Sequence, residues 1–137
     1  MGDDGLGIHV INLLKKEKLP DYVELVDGGT KGLNLINYFE GKDIAIIVDA
    51  IDLEKEPGDV IVLKDEEIRK YFHVKYSVHE IGIIDLLDTA TLLEILPEHV
   101  ILIGMQPHNI ELTTDLSESI KKGLPNLINN IKQFINA

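Results

Sequence analysis

The feature that most constrains the fold of this chain is a continuous apolar run, Ile44–Val48, that ends at Asp49. The run is rich in β-branched residues and contains no polar residue. Parallel strands that are covered on both faces have this composition, because every side chain meets a layer of helices. A second apolar run, Val100–Met105, predicts the last strand. Together with the helices and turns described next, these strands predict an α/β fold with a mostly parallel, twisted sheet.

The remaining elements follow from apolar spacing and from turn residues. We predict helices over residues 7–18, 32–39, 65–72, 82–93 and from 115 onward, and further strands over residues 22–26 and 60–63. Only residues 49–59 separate the strands at 44–48 and 60–63, whereas a parallel crossover usually needs a dozen or more residues. We therefore expect one antiparallel strand. The prediction is a single three-layer α/β/α domain over residues 1–137.

Three of the predicted helices carry more specific expectations. In the helix over residues 82–93, one face is apolar: Ile83, Leu86, Leu87 and Ala90. In the first helix, Ile8, Ile11 and Leu14 recur at three-residue steps, so we expect them to face the core. In the last helix, Gly123 and Pro125 interrupt the periodicity. Proline removes a backbone donor and clashes with the preceding turn, so we expect a kink or two consecutive helices there.

Charge and composition argue against several classes of partner and chemistry. The formal net charge of −11 disfavours nucleic acid and anionic membrane surfaces, which repel an acidic protein. The chain has no cysteine, which excludes disulfides, thiolate metal ligands and a cysteine nucleophile. No apolar run approaches the roughly 20 residues that span a bilayer, and the acidic start does not resemble a secretory signal. We expect a cytoplasmic protein that binds neither nucleic acid nor a membrane.

Three side chains able to bind a metal lie beside the predicted elements. Asp4 stands at the start of the first helix, and Asp49 directly follows the apolar run Ile44–Val48. His79 precedes the apolar stretch 81–84. Groups at the carboxyl ends of strands in open α/β sheets converge on one crevice. Two carboxylates and one imidazole in such a crevice would make an open metal site. The alternatives are structural: a helix cap for Asp4, a turn residue at Asp49 and a hydrogen-bonded histidine at His79.

Six short motifs resemble, in order, those of the nickel–iron hydrogenase maturation endopeptidases, which remove a C-terminal peptide from the hydrogenase large subunit. The motifs are Gly2–Gly7, Asp27–Gly32, Val48–Ala50, Pro57–Gly58, Ser77–Gly82 and Ile103–Pro107. The resemblance implies that Asp4, Asp49 and His79 bind nickel already seated in the hydrogenase large-subunit precursor. It also implies a metal-dependent endopeptidase with that precursor as its partner. Carboxylates and imidazole suit this role, because they bind nickel without the thiolates that would hold it permanently.

The chain departs from this family at its start. Family members begin with an apolar strand and a Gly-x-Gly-Asn turn before the first acidic motif, and this strand is missing here. We therefore expect the natural protein to begin upstream of Met1. Two other functions stay open on the sequence. One is a non-catalytic module of the same fold that binds the nickel site of the subunit, and the other is a flavodoxin-like domain that binds a small ligand.

Overall fold

The elements of the computed structural model follow the predicted order of most helices and strands. They are α1 (Leu6–Lys15), a 3-10 helix (Gly32–Tyr38), β1 (Ile44–Ala50), β2 (Val60–Lys64), α2 (Glu66–Val74), α3 (Val78–Leu92), β3 (His99–Met105) and α4 (Glu118–Ile135). The structure describes residues 6–25, 32–51, 53–74, 78–106 and 118–135, without the side chains of 32–34, 73–74, 78–81 and 119. None of the described helices is long and apolar enough to cross a bilayer.

The described strands form one sheet in which β3 lies between β1 and β2. β1 and β3 are parallel, because the residues that pair across them increase together. The amide of His99 donates to the carbonyl of Asp43 at 3.1 Å, and the amide of Ile51 donates to the carbonyl of Met105 at 3.0 Å. The parallel strand predicted from the run Ile44–Val48 is therefore present, and its partner is β3.

β2 runs antiparallel to β3. The amide of Asp65 donates to the carbonyl of Val100 at 2.8 Å, and the amide of Gln106 donates to the carbonyl of Asp59 at 2.8 Å. The sheet is mixed, which confirms the α/β fold and the expected antiparallel strand. β1 and β2 are not neighbours in the sheet, although they follow each other in sequence, because β3 pairs with both.

Burial differs sharply between the two apolar strands. β3 is buried at every residue from Val100 to Met105. β1 is only half-buried from Ala45 to Asp49, and the side chain of Ile44 is 45% exposed. The prediction that the strand at Ile44–Val48 is covered on both faces is thus wrong, and the strand that is buried throughout its apolar run is β3. The reason is position, because β1 is an edge strand of the described sheet.

The chain divides into two compact units, and three of the four boundaries between them fall within the strands. The first unit comprises Met1–Asp27, Val48–Ile61 and Ile103–Ala137, and the second comprises Gly28–Ile47 and Val62–Leu102. Within the first unit α1 packs against α4, and within the second α3 packs against the 3-10 helix. The single domain over residues 1–137 stays a prediction.

The buried faces of the helices confirm one prediction and correct another. On α3 the predicted face is buried: Ile83, Leu86, Leu87 and Ala90. On α1 the buried side chains are Leu6, Val10 and Leu14, whereas Ile8 is 48% exposed. The α1 prediction chose the wrong face because apolar residues occur all around this helix, so that periodicity alone does not select a side.

Two further predictions of local structure are wrong. Residues 22–25 do not form a strand, since the amide of Val23 donates to the carbonyl of Pro20 at 3.1 Å and closes a turn. Of the two alternatives expected for the C-terminal segment, a kink or two consecutive helices, the second is wrong, because one helix continues through Pro125. Buried residues on both sides of the proline, Ile120 and Leu127, hold the two halves of α4 to the core.

A glycine allows α4 to approach the chain that follows β1. A Cβ on Gly123 would lie 2.8 Å from the carbonyl oxygen of Gly58 and 3.0 Å from Cε of Met105. Backbone oxygen cannot rotate away, so we expect Gly123→Ala to displace α4 and lower the free energy of unfolding by about 1–3 kcal/mol. Gly82→Ala on α3 is the matched control, because a Cβ there has no neighbour within 4 Å. It should raise that free energy by about 0.5–1 kcal/mol.

Chemical denaturation of the two variants and the wild type measures both effects. A Gly123→Ala protein that unfolds at the wild-type denaturant concentration would show that the close approach of α4 has no energetic consequence.

Candidate functional site

Asp49 is the part of the predicted metal site that the structure describes completely. It is the penultimate residue of β1, so the strand extends two residues beyond the predicted end at Val48. Its side chain is half-buried, and Oδ1 accepts a hydrogen bond from the amide of Ala50 at 3.0 Å. The carboxylate is therefore carried by a hydrogen-bonded strand rather than by a turn, which restricts the directions in which it can point.

The first turn of α1 lies beside this end of β1. A Cβ built on Gly7 would be 3.9 Å from the carbonyl oxygen of Val48, an ordinary van der Waals distance. Gly7 follows Asp4 by three residues, and Val48 precedes Asp49 directly. The start of the first helix and the end of β1 therefore meet within the first unit.

The segment after β1 is a loop with a defined turn, and we call residues 53–59 the post-strand loop. The amide of Asp59 donates to the carbonyl of Glu56 at 3.0 Å, and the amide of Glu56 donates to Oδ2 of Asp59 at 3.2 Å. Gly58 has φ of +93°, which suits the third position of a type II turn after Pro57. The Pro57–Gly58 motif is thus the tip of a tight turn in the chain that follows Asp49.

Gln106 joins this loop to the end of β3. It is 8% exposed and is the one buried polar side chain among the described residues. Its Oε1 accepts hydrogen bonds from the amides of Leu53 at 2.5 Å and Lys55 at 3.2 Å. Gln106 lies within the motif Ile103–Pro107, but the motif by itself predicts no role for its side chain. The sequence feature that could have indicated one is the position of a polar residue directly after an apolar run.

The convergence of Asp4, Asp49 and His79 stays a prediction. Asp4 lies outside the described residues. His79 belongs to the first turn of α3, which begins at Val78, four residues before the predicted start, and its side chain is not described. Among the side chains that the structure does describe, no three from His, Asp and Glu form a group able to hold a metal ion.

A second acid–histidine pair, in the second unit, has a structural role. Nδ1 of His99 lies 3.3 Å from Oδ2 of Asp65, and Oδ1 of Asp65 accepts a hydrogen bond from the amide of Val100 at 2.9 Å. Both side chains are exposed. Asp65 therefore bridges the end of β2 to the start of β3.

Comparison with known proteins identifies the family. The model of the hydrogenase maturation protease family matches residues 8–133. This chain belongs to that family. The chain is 38% identical over 111 residues to the hydrogenase expression/formation protein HupD of Bradyrhizobium diazoefficiens, with 80% of this chain and 58% of the relative covered. It is 34% identical over 121 residues to the hydrogenase 2 maturation protease of Escherichia coli, with 87% of this chain and 74% of the relative covered.

Solved structures of family members have the same fold. The hydrogenase maturating endopeptidase HybD from E. coli superposes with a TM-score of 0.90 at 29% identity, covering 99% of this chain and 85% of that one. The hydrogenase maturation protease HybD from Thermococcus kodakarensis gives 0.82 at 26% identity, covering 98% and 91%. The chain spans less than two thirds of several relatives, including 58% of the Bradyrhizobium protein. The family resemblance expected from the motifs is confirmed.

Proposed function

We propose that this protein is a metal-dependent endopeptidase that removes the C-terminal peptide of a nickel–iron hydrogenase large-subunit precursor after sensing its bound nickel. Membership of the hydrogenase maturation protease family carries this proposal. The place of Asp49 supports it, because a half-buried carboxylate stands near the carboxyl end of a parallel strand pair. Ligands of open α/β sheets bind at such ends. A flavodoxin-like ligand-binding domain is not favoured by this family membership.

Asp4, Asp49 and His79 are the proposed ligands of the nickel, which is part of the substrate. Two carboxylates and one imidazole fit a divalent nickel ion and leave positions open for the groups of the precursor. The place of Gly7, three residues after Asp4 in the sequence, supports this proposal, because a Cβ on Gly7 would lie 3.9 Å from the carbonyl oxygen of Val48, the residue before Asp49.

The reaction is hydrolysis of one peptide bond of the precursor. Water adds to the scissile carbonyl, the C–N bond breaks, and the products are a shortened large subunit with a new carboxylate and a free C-terminal peptide. The nickel of the substrate can anchor the peptide and polarise the carbonyl or activate the water. One carboxylate of the trio can act instead as the general base. We place this reaction in the cytoplasm, with the precursor as the partner.

The carboxylate of Asp49 provides the first test. Asp49→Ala should lower the rate of precursor cleavage by about 100-fold or more, because it removes either a ligand of the substrate's nickel or a general base. Asp43→Ala is the matched control, since Asp43 is an exposed carboxylate just before the other end of the same strand. The control should cleave at the wild-type rate. Mass spectrometry of the large subunit before and after incubation measures the cleavage.

Two results would contradict the proposal. Equal loss of cleavage in both variants would mean that removal of any carboxylate near β1 lowers the rate, whatever its position. Tight binding of the nickel-loaded precursor by the wild-type protein, without cleavage, would favour the non-catalytic binding module.

The affinity for nickel should depend on pH. A ligating imidazole must be neutral, and free imidazole side chains take up a proton near pH 6.5, so protons compete with the metal below that value. We expect the affinity for Ni²⁺ to fall between about pH 7.5 and about pH 5.5, and His79→Ala to bind weakly at both values. Calorimetric titration measures the affinities. Wild-type affinity that is the same at both pH values would exclude a histidine ligand.

A further inference from the structure

Gln106 contacts the post-strand loop with both its side chain and its main chain. Oε1 accepts from the amides of Leu53 and Lys55, near the start of the loop. The carbonyl oxygen of Gln106 accepts from the amide of Gly58 at 2.9 Å, and the amide of Gln106 donates to the carbonyl of Asp59 at 2.8 Å. One residue thus holds the loop at both of its ends.

The main-chain and side-chain contacts differ in what they require of the sequence. The hydrogen bonds to Gly58 and Asp59 use backbone groups, so any residue except proline at position 106 preserves them. The hydrogen bonds to Leu53 and Lys55 need a side-chain acceptor that reaches across from the end of β3. Backbone amides that lose such an acceptor in a buried position must find another partner or move toward water.

The first half of the loop is connected directly to Asp49. Leu53 follows Asp49 by four residues, and between them the amide of Ile51 is bonded to the carbonyl of Met105 at 3.0 Å. The side chains of Ile51 and Leu53 are each 3% exposed. The chain that leaves Asp49 is therefore fixed to the end of β3 at residue 51 by backbone and at residue 53 by Gln106.

We propose that Gln106 is a positioning residue for the peptidase reaction. Its side-chain oxygen fixes the start of the post-strand loop, and through it the end of β1 and the direction of the Asp49 carboxylate. This role rests on the proposed function, in which Asp49 acts on the nickel-bound C-terminal region of the precursor. Gln106 does not touch the reacting atoms, and a shift of about 1 Å in a group that does can lower a rate by about 100-fold.

Substitutions of Gln106 separate the acceptor from the shape of the side chain. Gln106→Met keeps a long unbranched side chain and removes the amide oxygen, so kcat should fall by about 10- to 100-fold. KM should stay within about threefold, because the contacts to the remote parts of the precursor are intact. Gln106→Glu keeps an oxygen acceptor of the same reach, and it should restore kcat to within about threefold of the wild type.

Hydrogen exchange of individual backbone amides distinguishes a local effect on the loop from a general loss of stability, which would change exchange throughout the protein. In Gln106→Met the amides of Leu53 and Lys55 should exchange at least about tenfold faster, while those of α3 keep their wild-type rates. Leu102→Ala is the control. Leu102 is fully buried in β3, and it takes no part in the two hydrogen bonds that join the loop to the side chain of Gln106. It should lower Tm while kcat is unchanged at a temperature well below Tm.

The outcomes distinguish this role from the function itself. Gln106→Met with wild-type kcat, or with wild-type exchange at Leu53 and Lys55, overturns the positioning role while the peptidase function stands. Loss of kcat in Gln106→Met that Gln106→Glu does not restore also overturns it. A wild-type protein that leaves the nickel-loaded precursor intact overturns the proposed function and, with it, the role of Gln106 in the reaction.

Discussion

Hydrogen bonding of β3 to strands on both of its sides is the constraint on which the candidate site depends. β3 pairs in parallel with β1 and antiparallel with β2, and it is the strand of the described sheet that is buried along its apolar length. A buried strand must satisfy every backbone amide and carbonyl with a partner, so its register with its neighbours is strongly fixed. This register places Met105 beside Ile51, which follows Asp49 by two residues.

Close approaches at two glycines complete the support of the segment that follows Asp49. A Cβ on Gly104 would be 3.0 Å from Cδ1 of Ile51 and 3.4 Å from Cγ2 of Ile61, so these two side chains lie against the C-terminal end of β3. Gly123 in turn allows α4 to meet the backbone of Gly58. The post-strand loop is thus held by hydrogen bonds from β3 and by packing from α4. These contacts add to the turn that Pro57 and Gly58 form within the loop itself.

The proposed chemistry agrees with the electrostatics of the chain. A protein with a formal net charge of −11 attracts cations, and carboxylate ligands add to that attraction locally. In the proposed reaction, the nickel ion of the precursor is such a cation, and it lies at the site where the peptidase binds. Ligands without thiolate release the ion readily. This property suits the proposed reaction, because the nickel stays in the shortened large subunit.

The sequence by itself determined the class of fold, the order of most elements and the family, because apolar runs, helical spacing and turn residues are local patterns that survive without the structure. It placed α3 with the correct buried face and the antiparallel strand. It also singled out Asp49 as a candidate ligand, since this residue ends an apolar run. It did not determine which apolar strand is central, which face of α1 is buried, or that Pro125 lies within one helix.

Those properties are decided by contacts between segments far apart in the chain. Ile44–Val48 and Val100–Met105 have nearly the same composition, yet pairing on both sides buries only the second. The role of Gln106 is of this kind as well, because its partners Leu53 and Lys55 lie 53 and 51 residues away. No sequence pattern around a glutamine that follows a strand shows which backbone amides will donate to its side-chain oxygen. Only the tertiary structure brings the end of β3 against the loop, since hydrogen bonds are made between positions in space and not between positions in sequence.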